Sequence, residues 1–217
     1  MGGGTTLVES LASGRGAVGT DTSELAAFIS HVKTTPLSEH DLGVVHSWAC
    51  NVVEELNCHA PSARAEEWIS EGYQRNISGV RTWPIRKTLE QVLTRIEELP
   101  NQRQQRFARC ALLRTGQWAL DGQREIPPVR KFRAHFLSAL HDMIQGAREF
   151  AKTIRSNAAR ERAHTSLYCL PLQGSAIELS RRLPRTNRSL QADLVVTSPP
   201  YPGVYEYNQS GANLNSK

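Results

Sequence analysis

This chain of 217 residues has no hydrophobic run that approaches the roughly 20 apolar residues of a membrane-spanning helix, which excludes a membrane span. Its first residues lack the charged and then apolar pattern of a signal peptide, which predicts a cytoplasmic protein. No two of its four cysteines form a CxxC pair, so a zinc ribbon, a CxxC redox site and a disulfide framework are poorly supported. Its seven histidines show no metal-binding spacing, and we therefore expect no metal.

Basic residues are concentrated in one part of the chain. Residues 101–162 contain 13 Lys and Arg against five Asp and Glu, a net charge of +8, whereas the whole chain carries +5 and the remainder therefore −3. Such a segment is typical of proteins that follow a phosphate backbone, because neutralised phosphates release condensed counterions. Arginine is also a good helix former, and charged stretches are commonly solvated helix faces. Charge alone leaves both interpretations open.

The first 21 residues have the pattern of part of a nucleotide-binding βαβ unit. The run MGGGTT at residues 1–6 precedes a short helical pattern that ends at Gly14, and residues 17–21 form a short apolar strand that ends on Asp21. Glycine lets the backbone approach a ligand closely, and in such units an acid about 20 residues further on reaches a ribose. The pattern predicts loop, helix, strand and acid, with the first strand of the unit missing.

Residues 23–162 contain several helical patterns and almost no strand pattern. Ser38 is a predicted N-cap. The longest pattern begins after Pro127 and Pro128 and has one apolar stripe over about six turns, which is typical of helix packing. The stripe consists of Phe132, Phe136, Leu140, Met143, Ala147, Ala151 and Ile154.

After residue 162 the pattern returns to strands and short helices. Residues 167–172 are a predicted strand, residues 176–183 a short helix, and residues 193–197 (DLVVT) a buried strand of the parallel kind. Residues 209–217 are polar and aperiodic, which predicts a disordered tail. The predicted fold is therefore α/β, with a partial Rossmann-like sheet interrupted by a large all-helical insertion.

The predicted strand at residues 193–197 runs directly into Ser198, Pro199, Pro200 and Tyr201. Two successive prolines fix φ twice and cannot extend a ladder, so this loop is rigid at the edge where α/β sheets bind ligands. The Ser198 side chain and the Pro199 carbonyl can accept hydrogen bonds from an exocyclic amino group, and Tyr201 offers a face on which an extruded base can stack. This chemistry needs neither a metal nor a covalent nucleophile.

The Ser-Pro-Pro-Tyr sequence resembles the catalytic motif of the amino-directed DNA methyltransferases, in which a leading serine is characteristic of the cytosine-N4 branch. The amino terminus resembles the Gly-rich S-adenosylmethionine loop of the same family. In this comparison Gly2 and Gly4 are the two glycines of the loop, and Thr5 and Thr6 follow them.

The resemblance extends to two further cofactor-binding positions. Asp21 matches the acid that hydrogen-bonds the ribose hydroxyls of S-adenosylmethionine. Ser175 stands where many members of the family carry an Asp that contacts the adenine amino group. The glycine loop, the acid and the Ser-Pro-Pro-Tyr motif occur together and in one order, which makes the combined signal much stronger than any single motif.

The resemblance implies an enzyme that transfers a methyl group from S-adenosylmethionine to N4 of cytosine in double-stranded DNA, with the target base flipped out. It assigns residues 1–35 and 165–208 to the methyltransferase domain and residues 36–164 to a helical insertion in the position of target recognition. A restriction endonuclease is a candidate partner by the same resemblance.

The chain departs from the family pattern at both ends. The Asp-Pro-Phe that precedes the glycine loop in the family is absent together with its strand, and the later strands of the sheet are absent too. We therefore expect a fragment of a longer enzyme, which by itself binds cofactor weakly and methylates DNA poorly or not at all. Two alternatives stay open: a catalytically inactive DNA-binding remnant, and an adenine-N6 methyltransferase acting on DNA or RNA.

Overall fold

The computed structural model describes residues 1–60, 80–121, 123–161, 168–183 and 191–197, with side chains in the longest helix up to residue 157. The predicted catalytic loop at residues 198–201 and the predicted tail at residues 209–217 lie outside this description. The chain divides into two compact units, Met1–Leu179 and Ser180–Lys217.

The first helix and the first strand follow the glycine-rich start as predicted. Helix α1 covers Thr5–Ala12 and strand β1 covers Ala17–Asp21. Gly14 ends the helix, because its φ of 74° is left-handed. The N–H groups of Gly14 and Arg15 return to carbonyls of the last turn. These bonds form a Schellman motif, which satisfies carbonyls that a helix end leaves unpaired.

The sheet within the described residues has two parallel strands. Strand β2 covers Cys169–Gln173 and pairs with β1 in register, from Ala17 opposite Cys169 to Asp21 opposite Gln173. The strand predicted at residues 167–172 is confirmed, with a shift of its boundaries. Because both strands run in the same direction, their carboxyl ends lie at the same edge of the sheet.

Helix α2 covers Glu24–Thr34 and contacts both strands as well as α1. It begins at the N-cap Ser23, whose side chain accepts a hydrogen bond from the Ala26 N–H at 3.3 Å. It ends before Pro36, because the residue that precedes a proline is disfavoured in the helical conformation.

Four further helices form the hydrophobic core. Their bounds are Glu39–Glu55 for α3, Trp83–Ile96 for α4, Gln102–Leu120 for α5 and Val129–Glu161 for α6. Buried apolar side chains from all four belong to one cluster. The predicted N-cap is confirmed, because Ser38 and Asp41 form a capping box at the start of α3.

Helix α6 is longer than its apolar stripe predicts. It has 33 residues, which is about nine turns. Phe132, Phe136 and Leu140 in its first half are fully buried. Its last turns are polar (RSNAARE), so hydrophobic periodicity does not reveal them. In this second half the Asn157 side-chain amide donates to the Ala12 carbonyl, which connects α6 to the end of α1.

The helix predicted at residues 176–183 is present as two short pieces. A turn of 3₁₀ helix covers Ala176–Glu178, and helix α7 covers Leu179–Arg182. The first piece begins at Ser175, whose side chain accepts a hydrogen bond from the Ile177 N–H at 3.3 Å.

The prediction of a buried strand at residues 193–197 is wrong. These residues form no strand, and Leu194, Val195 and Val196 are 74%, 78% and 65% exposed. A buried parallel strand needs an apolar run, but it also needs ladder partners and helices over both faces. The run of apolar residues is visible in the sequence, whereas those neighbours are not.

Over the described residues the fold is mixed α/β and mostly helical, with seven helices and a two-stranded parallel sheet. The predicted α/β class is confirmed at this level. The finer prediction of a Rossmann-like sheet requires more strands than these two. None of the described helices combines the length and the apolar character that crossing a membrane requires.

Candidate functional site

The candidate site lies at the carboxyl edge of β1 and β2. Immediately after β2, the Gly174 N–H donates to the Asp21 carbonyl at 2.7 Å. The Thr20 hydroxyl in turn donates to the Gly174 carbonyl at 2.7 Å. Gly174 has a φ of 145°, which L side chains rarely adopt. These contacts hold the turn after β2 against the end of β1.

The Asp21 carboxylate is bound by the glycine-rich start of the chain. Its Oδ2 accepts the Gly2 N–H at 2.8 Å and the Met1 ammonium at 3.1 Å. Its Oδ1 accepts the Ser23 N–H at 3.0 Å. The structure thus brings together two predicted site residues, Gly2 and Asp21, that lie 19 positions apart in the sequence.

These hydrogen bonds keep Asp21 ionised. Burial by itself would raise the pKa of this carboxyl, but the Ser23 and Gly2 N–H groups and the Met1 ammonium outweigh burial, and the pKa lies below its ordinary value. An ionised carboxylate has about four acceptor positions, of which these contacts use three. The side chain is 21% exposed, so Asp21 can still accept a hydrogen bond from a hydroxyl group.

Gly4 is the point at which the loop comes closest to α2. It has a φ of +80°, and a Cβ at this position would lie 2.7 Å from the Ser30 Oγ and 2.9 Å from the Ser30 Cα. Real Cβ atoms essentially never come within 3.0 Å of other heavy atoms, and the backbone Cα of Ser30 cannot rotate away. Glycine at this position is therefore required by close packing as well as by backbone conformation.

The surroundings of Gly2 differ from those of Gly4. Gly2 has a φ of +53°, and a Cβ at this position would meet nothing within 4 Å. The backbone of Gly2 is therefore open to the approach of a ligand, next to a carboxylate that retains an acceptor position. This combination of open backbone and ionised acid leaves space beside Asp21 for a ligand that carries hydroxyl groups.

The remaining described site residues lie near the same edge. Thr5 and Thr6 form the first turn of α1, and both are exposed. Ser175 directly follows Gly174, and its hydroxyl caps the 3₁₀ turn. The predicted glycine loop, the acid and the segment of Ser175 thus come together at the end of one parallel strand pair.

Two residues of α2 that the sequence did not single out also contact the glycine loop. The buried Ser30 hydroxyl donates to the Gly2 carbonyl at 3.2 Å, and Lys33 Nζ donates to the Gly3 carbonyl at 2.8 Å. Ser30 and Lys33 are three positions apart, so they lie on the same face of the helix. This spacing is the only sequence signal that could have found them, and it is too common to be specific.

Helix α5 presents basic side chains to the surface. It contains Arg103, Arg106, Arg109 and Arg114 and no acidic residue. Arg103 and Arg109 are exposed, and Arg114 makes an exposed ion pair of 3.4 Å with Asp142. Arg103 and Arg109 therefore carry the exposed positive charge of this helix, whereas the charge of Arg114 is compensated by Asp142.

The predicted base-binding residues Ser198, Pro199, Pro200 and Tyr201 lie outside the described residues, and their role stays a prediction. Within the described part of the chain no group of three or more His, Cys, Asp or Glu side chains could hold a metal ion. No protein-family model, curated protein or solved structure matches this chain.

Proposed function

We propose that this chain carries the cofactor-binding part of an S-adenosylmethionine-dependent, amino-directed DNA methyltransferase whose target is N4 of cytosine. One observation supports this proposal most directly. The Gly2 N–H lies 2.8 Å from Asp21 Oδ2 at the carboxyl end of β1, and the turn that contains Gly174 and Ser175 is hydrogen-bonded to that end. Such an edge is where parallel α/β sheets bind nucleotides.

Each described residue has a role in this proposal. Asp21 would accept a hydrogen bond from a ribose hydroxyl through its remaining acceptor position. The open backbone at Gly2 would allow the methionine part of the cofactor to approach closely, and the Ser175 segment would lie toward the adenine. When bound, S-adenosylmethionine supplies a methyl group on a positively charged sulfur.

The target base would be held by the Ser-Pro-Pro-Tyr sequence. The Ser198 side chain and the Pro199 carbonyl would accept hydrogen bonds from the amino group of an extruded cytosine, and Tyr201 would stack on its ring. A strong general base is not required, because much of the rate acceleration would come from holding the amino nitrogen in line with the methyl group.

The basic face of α5 supports a polyanionic substrate. The exposed Arg103 and Arg109, in a helix without acidic residues, provide charges that can neutralise phosphates without reading bases. This part of the proposal concerns DNA affinity and is independent of the cofactor.

Binding of S-adenosylhomocysteine, measured by isothermal titration calorimetry, tests the cofactor site. We expect the wild-type chain to bind and Asp21→Ala to bind at least about tenfold more weakly, because a charged hydrogen-bond acceptor is removed. Asp142→Ala is the matched control, since it removes an exposed carboxylate of α6 that forms an ion pair with the surface residue Arg114.

The outcomes separate the proposal from its alternatives. Equal affinity in Asp21→Ala would contradict the assignment of this edge. A folded chain that binds DNA and not S-adenosylhomocysteine would favour a DNA-binding remnant. If tritiated methyl groups are transferred to DNA or RNA, nucleoside analysis distinguishes N4-methylcytosine from N6-methyladenine.

A further inference from the structure

Helix α2 holds two successive carbonyl groups of the glycine loop. The Ser30 hydroxyl donates to the Gly2 carbonyl at 3.2 Å, and Lys33 Nζ donates to the Gly3 carbonyl at 2.8 Å. Ser30 is fully buried, whereas Lys33 is exposed apart from this contact. The loop therefore receives one neutral and one charge-assisted hydrogen bond from one face of the same helix.

These contacts determine which way the loop amides point. The described peptide bonds are all trans, and a trans peptide directs its N–H opposite to its C=O. The Gly3 N–H therefore points away from Ser30, and the Gly4 N–H points away from Lys33. The Gly4 N–H donates to the Met1 carbonyl at 3.2 Å, which closes the turn. Three glycines have large conformational freedom, so without such contacts the loop would populate many other conformations.

Helix α2 is itself held firmly enough to act as a support. At its C-terminal end Thr34 is buried, and the helix packs against both β1 and β2. On its other side His31 Nε2 lies 2.5 Å from an Arg106 nitrogen of α5. Gly4 packs directly on its backbone. The loop is thus positioned by an element that is fixed to the sheet and to the helical core.

We propose that Lys33 and Ser30 are positioning residues for the glycine loop, and that they preorganise it for the methyl donor. This inference rests on the proposed function for the identity of the ligand. The physical basis is general: a loop that is ordered before binding does not lose that conformational entropy when the ligand arrives.

Hydrogen exchange measured by mass spectrometry on the full chain tests the positioning without any cofactor. The variant Lys33→Met keeps the aliphatic chain and removes the ammonium group. We expect amide exchange in the peptide of residues 1–11 to be about threefold to tenfold faster, because one charge-assisted hydrogen bond is lost. Lys33→Arg keeps a donor and should restore slow exchange. Ser30→Ala tests the second contact in the same peptide.

Lys131→Met is the matched control. Lys131 is an exposed lysine near the start of α6. The opposite part of this helix contacts α1 through Asn157, which lies about 40 Å further along the helix axis. We expect this control to exchange like the wild type. The Lys33 and Lys131 variants should melt within about 2 °C of the wild type, since exposed substitutions change stability little.

Affinity for S-adenosylhomocysteine completes the test. We expect Lys33→Met to bind about threefold to tenfold more weakly and Lys33→Arg to bind nearly as well as the wild type. Unchanged exchange in Lys33→Met overturns the positioning role. Faster exchange with unchanged affinity overturns the claim that this order serves the methyl donor. Faster exchange with no binding by any form overturns the proposed function, whereas the support of the loop by α2 stands.

Discussion

The Nε2 atom of His31 on α2 lies 2.5 Å from a guanidinium nitrogen of Arg106 on α5. Arginine can only donate hydrogen bonds, so Nε2 must be the acceptor and the imidazole must be neutral, with its proton on Nδ1. The Nδ1 atom lies 3.3 Å from the Thr35 hydroxyl, which can accept that proton's hydrogen bond. This pair joins the helix that supports the glycine loop to the helix that carries the arginines.

The pKa of His31 is lowered by burial and by the charges of Arg106 and Arg103. The unfolded chain, with a histidine pKa of about 6.5, therefore binds this proton more readily than the folded one. The contribution of neutral His31 to the stability of the fold is complete above about pH 6.5. It declines as the pH falls through this value toward the folded-state pKa. We expect His31→Gln, which keeps an acceptor for Arg106, to lose less stability than the wild type between pH 7.5 and 5.5.

Urea unfolding at a series of pH values measures this difference. Arg106→Gln should also flatten the dependence, because one of the two charges that lower the pKa of His31 is removed. Arg148→Gln removes an arginine that does not act on His31 and should keep the wild-type slope. A His31→Gln variant with the full wild-type dependence on pH would show that His31 is not the group responsible.

Gly4→Ala should destabilise the chain by about 1–3 kcal/mol, because the methyl group meets the Ser30 backbone and the position requires a left-handed φ. Gly43→Ala is the matched control. Gly43 is exposed within α3, and a Cβ there would meet nothing within 4 Å. We expect this second variant to be more stable than the wild type by about 0.5–1 kcal/mol, because alanine is a better helix former than glycine.

The free energy of unfolding in urea, compared between the two alanine variants, decides this prediction. The same glycine-to-alanine change should lower the free energy of unfolding at residue 4 and raise it at residue 43. If Gly4→Ala were as stable as the wild type, the close packing between the loop and α2 would not exist in solution, and the positioning role of Ser30 would lose its basis.

Arg103→Gln combined with Arg109→Gln should weaken binding to duplex DNA. Each phosphate contact that is lost should reduce the slope of log affinity against log salt by about 0.9, and the loss should be similar for all DNA sequences. Fluorescence anisotropy at several salt concentrations measures both quantities. The control, Arg15→Gln with Lys131→Gln, removes the same charge from exposed positions on other elements. Equal losses in both double variants would indicate a general effect of net charge.

Much of the helical structure follows from local signals. The spacing of apolar residues, the Ser38 cap and the stop at Gly14 predict helices that the structure contains, since each signal acts within one or two turns. The same holds for β1 with Asp21 at its end. The polar last turns of α6 are not predicted by such signals, because they have no hydrophobic periodicity.

The exposed run at residues 193–197 shows the opposite case. Its composition is that of a buried strand, yet the side chains of Leu194, Val195 and Val196 are exposed. Burial of a strand depends on neighbours that are distant in sequence, so the composition of the segment could not determine it.

The amino-acid sequence by itself determined most of the helices, strand β1 and the order in which the glycine loop, the acid and the Ser175 segment occur. Only the tertiary structure decided that the Asp21 carboxylate accepts a hydrogen bond from the Gly2 N–H. It also decided that Ser30 and Lys33 donate hydrogen bonds to the loop carbonyls. The reason is physical: helix signals arise from interactions over three or four residues, whereas these contacts join groups 19 to 30 positions apart and exist only once the sheet and α2 have packed together.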